Sequence, residues 1–244
     1  MDLHGKTAVI TGGAKRIGRA LTLALAEAGC DIILHYGRSK VAAEQTAQEA
    51  EALGVTVVLK QADLGAPVGL ATLVETESLG LNPAQILINS AAIFPTDTLR
   101  DLTLDQWSKT FRVNLRTPIF LTQAFANALP ADLDGAVINI TDWRTARPYP
   151  DHFSYSVAKG ALDAFTRSAA ISLAPQIRVN AIALGAMLPP PGKDQSYLDA
   201  LAATLPLQRP GGTAVIADTM LHLLRNDFVT GEILRLDGGA HLQY

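Results

Sequence analysis

Short runs of consecutive apolar residues alternate along the chain with longer segments in which apolar residues recur every three or four positions. The short runs predict buried strands, and the recurrence predicts helices with one buried face. Strands are predicted at 7–10, 32–35, 55–59, 86–89, 137–140, 177–182 and 233–236. Helices are predicted at 17–28, 41–53 and 213–224, and a weaker one at 68–79. A long helix is predicted to begin at a capping box of Thr103 and Gln106, and another to extend from Asp151 to Pro175.

This regular alternation predicts an α/β fold of the Rossmann type, in which about seven parallel strands form a doubly wound sheet with helices on both faces. The chain has 244 residues, of which 48% are apolar and 18% charged, and this composition is typical of a compact protein with a large core. No linker, repeat or low-complexity block interrupts the pattern. Residues 1–244 are therefore predicted to form a single domain.

Charge and cysteine content exclude several classes of function. The formal net charge is -3 and the isoelectric point about 5.9, which argues against nucleic acid or an anionic membrane as the main partner. Cys30 is the only cysteine, so disulfide scaffolding within the chain and thiolate zinc sites are excluded, and we predict no metal. No apolar run approaches the ~18 residues of a membrane span, and no basic-then-apolar leader is present. The expected location is the cytoplasm.

Three proton-handling side chains are predicted to meet after the fifth strand. Tyr155 and Lys159 are four residues apart and project from one face of a helix, for which Asp151 is the predicted cap. Asp142 follows a strand end, where open α/β sheets place their ligands. An ammonium group beside a phenol is expected to lower the phenol pKa from about 10. These residues therefore predict a general acid/base site.

The loop between the first strand and the first helix, Thr11-Gly12-Gly13-Ala14-Lys15-Arg16-Ile17-Gly18, is rich in glycine. Glycines permit a tight turn and allow the backbone to approach a pyrophosphate at the helix N-terminus. A site that prefers NAD usually has an acidic residue after the second strand, whereas this chain has His35-Tyr36-Gly37-Arg38-Ser39. Arg38 and Ser39 suit a 2'-phosphate, and Arg16 adds a second guanidinium, so NADPH is predicted over NADH.

Three further positions follow from the order of the strands. Asp63, after the third strand, can meet the adenine edge or cap the following helix, and the sequence does not decide between these roles. Asn89-Ser90-Ala91-Ala92, after the fourth strand, provides small residues where backbone must pass close to a cofactor. Pro118 cannot donate a hydrogen bond to the carbonyl of Asn114, so a kink and a free carbonyl are predicted inside the long helix.

Together these motifs resemble the short-chain dehydrogenase/reductase family over nearly the whole chain. The motifs are Thr11-Gly12 to Gly18, Asp63, Asn89-Ser90-Ala91, Asn114, Tyr155 to Lys159, Arg178-Val179-Asn180 and Asp237-Gly238-Gly239. The resemblance implies that Tyr155 donates a proton, that Lys159 holds the ribose and lowers the tyrosine pKa, and that Asn114 extends the relay through its carbonyl and a water. It also implies a homotetramer. The cofactor-binding residues that it implies are Gly12, Arg16, Ile17, Gly18, Tyr36, Arg38, Ser39, Asp63, Leu64, Asn89, Ser90, Ala91, Tyr155, Lys159 and Gly185.

One departure from the family pattern is informative. The family normally has a serine thirteen residues before the tyrosine, where it polarises a carbonyl, and this chain has Asp142 there. An aspartate repels a developing alkoxide but accepts N–H bonds from a ring nitrogen or an amino group. In this respect, and in Lys15-Arg16 and Phe94, the sequence is similar to the pteridine and dihydromonapterin reductases of the family. That similarity implies substrate contacts from Arg16, Phe94, Asp142 and Tyr155, with Phe94 stacked on a pterin.

The predicted function is NADPH-dependent reduction of a C=N bond in a dihydropterin or dihydrofolate-like substrate. Two alternatives remain open. One is a carbonyl reductase acting on 3-oxoacyl thioesters, in which Asp142 is a tolerated departure. The other is a protein that binds NADPH as a sensor or scaffold without turnover, although Tyr155, Lys159 and Asn114 argue against it.

Overall fold

A computed structural model describes residues 1–66, 69–190 and 192–242 of the protein. Within these ranges seven parallel strands form one sheet in the order β3-β2-β1-β4-β5-β6-β7. The strands are β1 (Thr7–Thr11), β2 (Asp31–Tyr36), β3 (Val57–Gln61), β4 (Ala84–Asn89), β5 (Gly135–Asp142), β6 (Ile177–Leu184) and β7 (Ile233–Leu236). The predicted α/β doubly wound sheet is therefore confirmed.

Helices cover both faces of the sheet. In the described ranges they are α1 (Arg16–Glu27), α2 (Lys40–Glu51), α3 (Leu104–Phe111), α4 (Thr117–Ala128), α5 (Phe153–Leu173), α6 (Gln195–Ala202) and α7 (Gly212–Arg225). Helices α1, α2 and α7 pack in one apolar layer, and α4 and α5 pack in the other. Successive strand residues point to opposite faces, so Ile10 belongs to the first layer and Val9 to the second. No helix of the described part of the chain is long and apolar enough to cross a membrane.

The strand order reverses between β1 and β4, where Thr11 pairs with Asn89. Connections from these two strands leave in opposite directions, which opens a crevice at their carboxyl ends. The crevice is the place where the glycine-rich loop, the loop after β4 and the end of β5 come together. It defines where the candidate site lies.

The predicted helix at 68–79 is wrong. The structure has two single 3-10 turns there, Ala71–Leu73 and Glu77–Leu79, and the predicted start at Val68 lies outside the described residues. Gly69 and Gly80 have φ values of +88° and +67°, a conformation that ends helical turns. The apolar periodicity of this segment was therefore overridden by its glycines.

The long helix that begins at the capping box of Thr103 and Gln106 is interrupted before Pro118. The interruption is a π-helical turn, Arg112–Arg116, in which the backbone N–H of Thr117 bonds the carbonyl of Arg112. Because Pro118 has no N–H to donate, the backbone hydrogen bonds here join residues five apart instead of the four of a regular α-helix. The α-helix is interrupted where the sequence predicts a kink, and Asn114 lies within the π-helical turn. The kink itself and the free carbonyl of Asn114 remain predictions.

Helix α5 differs from its prediction in its cap and in its buried face. His152, with φ +53°, takes the N-cap position without a side-chain hydrogen bond, so the prediction that Asp151 caps the helix is wrong. The sequence also predicts an apolar stripe along this helix, formed by Phe153, Val157, Ala161, Ala164, Phe165 and Ala169. That prediction is wrong, because Val157 and Ala164 are exposed. The buried face carries Tyr155 and Lys159, whose polar atoms are hydrogen-bonded. Polar groups can be buried when they are hydrogen-bonded, so a buried helix face need not be apolar. A prediction from hydrophobic periodicity misses such a face.

Candidate active site

The glycine-rich loop and the loop after β4 touch at the crevice. The Thr11 hydroxyl oxygen accepts hydrogen bonds from the backbone N–H groups of Ser90 (3.0 Å) and Ala91 (3.1 Å). Gly12 has φ +67°, and a Cβ there would lie 3.0 Å from the Cα of Ala91. A Cβ on Gly18 would lie 2.0 Å from the carbonyl oxygen of Gly12. These glycines are therefore required for the loop to fold, and they form the cradle that a pyrophosphate needs.

His35, in β2, supports the glycine-rich loop through a hydrogen bond to Gly12. The sequence did not predict it as a site residue. Its Nδ1 accepts a hydrogen bond from the Gly12 backbone N–H (3.1 Å), and its Nε2 lies 3.1 Å from the carbonyl oxygen of Ala62. These partners place the proton on Nε2. Burial lowers the pKa of His35 below 6.5, which keeps the ring neutral and the Nδ1 acceptor available. The sequence motif contained this histidine, but nothing in its spacing showed a contact with Gly12.

A cavity of about 390 Å³ opens where a 2'-phosphate was predicted, and it is lined by Gly37, Arg38, Gln61, Ala62 and Asp63. Arg38 is exposed beside it, and β2 is followed by no carboxylate. Asp63 does not cap a helix, because its Oδ1 accepts the backbone N–H of Gly65 (2.8 Å) in a turn. Its contact with an adenine remains a prediction. The guanidinium and the missing acid fit the 2'-phosphate of NADPH.

The remaining predicted cofactor residues lie around the same crevice in different ways. The side chains of Tyr36 and Leu64 are buried in the core, and the partly buried side chain of Ile17 packs against it. Ser39 holds the N-cap position of α2. Arg16 is exposed at φ +54° and donates a 2.6 Å hydrogen bond to the carbonyl of Pro189 rather than lining the Arg38 cavity.

At the other end of the crevice, β6 and the segment after β7 come close together. A Cβ on Gly185 would lie 2.6 Å from the Cα of Asp237, so only glycine fits there. Beneath the cradle, the Asn89 amide donates to Oδ1 of Asn139 (2.9 Å), whose own amide donates to Thr166 (2.9 Å). This buried network fixes the ends of β4 and β5 against α5.

Asp142 and Tyr155 form a direct pair. The Tyr155 hydroxyl donates a 3.0 Å hydrogen bond to Oδ2 of Asp142, and the backbone N–H of Arg144 donates a 2.9 Å hydrogen bond to Oδ1. Tyr155 is 7% exposed and Asp142 is partly buried. The two hydrogen bonds fix both oxygens of the carboxyl. The predicted convergence of these two residues is found in the structure.

The expected lowering of the tyrosine pKa is wrong for this structure. Burial, followed by the charge and the hydrogen bond of Asp142, raises the pKa of Tyr155 well above 10. The Lys159 ammonium lies 5.7 Å from the centroid of the tyrosine ring and does not offset these effects. Burial also raises the pKa of Asp142, against the opposing effects of Arg144, Tyr155 and Lys159. Tyr155 is consequently a neutral phenol that holds its proton.

Lys159 lies behind the pair. It is 2% exposed, and its Nζ donates a 2.7 Å hydrogen bond to the carbonyl of Ile140. Burial lowers the lysine pKa to about 8, while the charges of Asp142 and Asp163 oppose that shift. The lysine is therefore anchored to β5 and is electrostatically coupled to the carboxylate of the pair.

The segment after β4 is fixed by the hydrogen bonds of two side chains, Asn114 and Asp97. The Asn114 side chain accepts from the backbone N–H of Ile93 (2.9 Å) and donates to its carbonyl (2.8 Å). Asp97, which is 2% exposed, accepts from the backbone N–H of Ser154 (2.9 Å) and replaces the missing cap of α5. Asn114 thus positions the segment that carries Phe94. Its predicted relay through the backbone carbonyl remains a prediction, and Asp97 was not foreseen.

Phe94 lies at the mouth of the site and is 42% exposed. Its ring stacks on His152 at a centroid distance of 3.7 Å and meets Tyr155 edge-on at 4.6 Å. His152 Nδ1 in turn lies 2.6 Å from the carbonyl of Pro95, which fixes the ring. Phe94 is therefore a fixed aromatic surface next to the pair of Asp142 and Tyr155. Its stacking on a pterin remains a prediction.

Cavity volume by itself does not locate this site. A larger surface cavity of about 490 Å³ is lined by Asp218, Leu221, His222, Arg225 and Asn226 at the end of α7. None of these side chains belongs to the crevice at the strand ends. Among the residues described, no group of three or more His, Cys, Asp or Glu side chains could hold a metal ion.

Comparison with known proteins places this site in context. A family model described as enoyl-(acyl carrier protein) reductase matches residues 12–241. Versicolorin reductase 1 of Aspergillus parasiticus is 32% identical over 257 residues, covering 98% of this chain and 97% of that protein.

Two solved structures share the whole architecture. The FolM alternative dihydrofolate reductase 1 of Brucella canis, complexed with NADP, is 36% identical with a TM-score of 0.93, covering 100% of this chain and 97% of that one. A blue fluorescent protein from a metagenomic library, in complex with NADPH, is 32% identical with a TM-score of 0.89, covering 98% of this chain and 99% of that one.

Proposed function

This chain belongs to the short-chain dehydrogenase/reductase family, and we propose that it is an NADPH-dependent reductase of a C=N bond in a dihydropterin or dihydrofolate-like substrate. The hydrogen bond between Tyr155 and Asp142 carries the proposal. The chain is an oxidoreductase of this family, and we infer that its substrate is of the pterin type. The similarity to FolM alternative dihydrofolate reductase 1 of Brucella canis supports it.

The cofactor is NADPH, as the sequence predicted. The glycine cradle at Gly12 and Gly18 and the cavity beside Arg38 fit a dinucleotide that bears a 2'-phosphate. Two structures that share this fold contain NADP or NADPH. When bound, the cofactor supplies the hydride.

The chain's own residues handle the proton. Tyr155 is a neutral phenol, because burial and Asp142 raise its pKa, and it can therefore donate a proton at the mouth of the crevice. Asp142 can accept N–H bonds from a substrate ring or amino group and hold the substrate beside Tyr155. Lys159, hydrogen-bonded to the carbonyl of Ile140, provides the positive charge that balances Asp142. A C=N bond needs a proton on nitrogen after hydride addition to carbon, and this pair supplies it.

A carbonyl reductase acting on 3-oxoacyl thioesters is the second candidate. The description of the matching family model and the similarity to versicolorin reductase 1 favour a wider range of substrates. Against it stands Asp142, because a carboxylate repels the oxyanion that forms when a ketone is reduced. A binding protein without turnover has less support, since Tyr155, Asp142 and Lys159 are all in place.

The proposal includes a homotetramer in the cytoplasm. Exposed apolar side chains on two helices support the assembly: Phe120 of α4 and Val157 and Ile171 of α5 are 49%, 40% and 83% exposed. Large exposed apolar areas mark surfaces that pair with another protein.

The experiment that tests the proposed function follows NADPH oxidation by its absorbance with dihydrobiopterin, dihydrofolate and an acetoacetyl thioester in parallel. Turnover of the pteridines and not of the thioester is expected. Turnover of the thioester alone would leave the family and cofactor intact but refute the C=N assignment. NADPH binding without any turnover would favour the sensor alternative.

A further inference from the structure

The turn that follows β3 forms part of the wall of the cavity beside Arg38. Its first residue, Asp63, lines that cavity. The Asp63 carboxylate accepts the backbone N–H of Gly65 (2.8 Å), and the Asp63 carbonyl accepts the backbone N–H of Ala66 (2.9 Å). Asp63 is therefore built into the turn, so a displacement of the turn also displaces the cavity wall.

Two adjacent side chains outside the turn hold three of its successive carbonyl groups. The Thr117 hydroxyl donates a 2.7 Å hydrogen bond to the carbonyl of Leu64. Arg116 donates through Nη2 to the carbonyls of Gly65 (3.3 Å) and Ala66 (3.1 Å). The partners are 50 to 53 residues apart in the sequence, so a distant part of the chain fixes the turn.

These contacts are the described use of both side chains. Arg116 is partly buried and forms no ion pair within the described part of the chain, so its guanidinium is directed at carbonyl oxygens alone. Hydrogen bonds from a charged donor are stronger than those from a neutral one. Thr117 is 1% exposed and Leu64 is 6% exposed, so loss of the hydroxyl would leave the Leu64 carbonyl without a donor in a buried place.

The π-helical turn Arg112–Arg116 determines where these side chains point. One extra residue in a helical turn rotates every later side chain by about 100° relative to a regular α-helix. The same π-helical turn contains Asn114, which fixes Ile93 and with it the segment that carries Phe94. Neighbouring residues of one helix thereby attach to both ends of the crevice.

We propose that Arg116 and Thr117 are positioning residues for NADPH, which fix the turn after β3 against the adenosine half of the cofactor. The 2'-phosphate belongs to that half, so a phosphate held by Arg38 places the adenosine against this wall. Neither Arg116 nor Thr117 lines the cavity, so they act through the turn and not by touching the cofactor. The proposal rests on the NADPH site of the proposed function and does not depend on the pteridine substrate.

The test measures binding of NADPH, of NADH and of adenosine 2',5'-bisphosphate, which carries the adenosine half alone. Titration calorimetry gives each Kd for the wild type, Arg116→Gln and Thr117→Val. Each variant is expected to weaken all three ligands by the same factor, about 3- to 10-fold, the range for a lost hydrogen bond. The ratio of NADPH to NADH affinity should therefore stay as in the wild type, because the adenosine is common to both.

Thr219→Val is the matched control. Thr219 of α7 also donates its hydroxyl to a carbonyl, that of Val215 (2.8 Å), but this bond lies within its own helix. All three Kd values should be unchanged in this variant even if its Tm falls, which separates the effect from a general loss of stability. Arg116→Lys keeps a charged donor without the planar fork and should lose less affinity than Arg116→Gln.

Hydrogen exchange of the wild type adds a measurement that needs no variant. Binding of adenosine 2',5'-bisphosphate should slow exchange of the backbone amides of the turn at residues 63–66. Unchanged exchange there would show that the adenosine does not meet the turn, and would overturn the proposal.

The binding outcomes separate this proposal from the proposed function. A loss confined to NADPH would mean that Arg116 contacts the 2'-phosphate itself, and would overturn the proposal. Unchanged affinities in both variants, or weaker NADPH binding with unchanged binding of the bisphosphate, would overturn it as well. Failure of the wild type to bind NADPH would overturn it together with the cofactor assignment. NADPH binding that depends on Arg116 and Thr117, with no turnover of any pteridine, would uphold it and refute only the proposed reaction.

Discussion

The hydroxyl of Tyr155, a side chain that is 7% exposed, donates a 3.0 Å hydrogen bond to Oδ2 of the partly buried Asp142. Removal from water raises the pKa of both groups, so the tyrosine keeps its proton and the carboxyl binds one more readily than in solution. Such a pair is suited to protonating a nitrogen. It is poorly suited to stabilising an alkoxide.

Loss of the tyrosine hydroxyl tests its role as the proton donor. Tyr155→Phe removes the donated proton and keeps the ring that packs edge-on against Phe94. We expect kcat for reduction of the dihydropterin to fall about 10²- to 10⁴-fold, which is the usual contribution of a positioned acid, with little change in the Kd of NADPH. Steady-state kinetics and a binding titration check this. Turnover retained within a few fold would show that another group donates the proton.

Arg38 is predicted to determine the choice between NADPH and NADH. Arg38→Asp replaces the guanidinium beside the cavity with a carboxylate, which repels a 2'-phosphate and can accept hydrogen bonds from a ribose 2'-hydroxyl. The ratio of kcat/KM for NADPH to that for NADH should fall by about two orders of magnitude. Arg100→Asp is the control, since Arg100 is also exposed but does not line that cavity. An unchanged ratio in Arg38→Asp would remove Arg38 from the cofactor site.

His35 should make the fold sensitive to mild acid. Burial lowers its pKa in the folded protein below 6.5, so the unfolded chain binds a proton more readily than the folded one. The stabilisation from neutral His35 is complete above pH 6.5 and is lost as the pH falls from that value toward the folded pKa. In that window the free energy of unfolding should decrease with falling pH, by at most about 1.4 kcal/mol per pH unit from this residue.

His35→Asn isolates this effect, because its amide oxygen can accept the Gly12 N–H in place of Nδ1 but does not titrate. Denaturant unfolding of both proteins at several pH values gives the comparison. The variant should be less stable at neutral pH and should lose less stability between neutral pH and mild acid. Parallel pH profiles for the two proteins would contradict the assignment.

Local sequence patterns predicted the fold and much of the site. Apolar runs identified the strands, and the glycine loop, Tyr155, Lys159 and Asp142 meet at the crevice because parallel strands place their carboxyl ends together. These features depend on chain order and spacing, which a sequence contains.

Contacts between distant segments could not be predicted in the same way. The bond from the Ser154 backbone to Asp97 spans 57 residues, and the support of Gly12 by His35 joins the glycine-rich loop to β2 across 23 residues. Neither has a spacing that signals it. The tyrosine pKa was predicted in the wrong direction because desolvation depends on burial, and only the structure shows that burial and Asp142 raise it against the opposing charge of Arg144.

The most direct test of the central claim exchanges Asp142 for the serine usual in the family. For wild type, Asp142→Ser and the uncharged Asp142→Asn, kcat/KM is measured with NADPH and either dihydrobiopterin or an acetoacetyl thioester. If the Asp142–Tyr155 pair adapts the site to a C=N bond, Asp142→Ser lowers pteridine reduction about 10²-fold or more, while thioester reduction holds or rises. Asp142→Asn should also lose pteridine reduction, but its thioester reduction should not rise. Equal changes for both substrates in Asp142→Ser would contradict the claim.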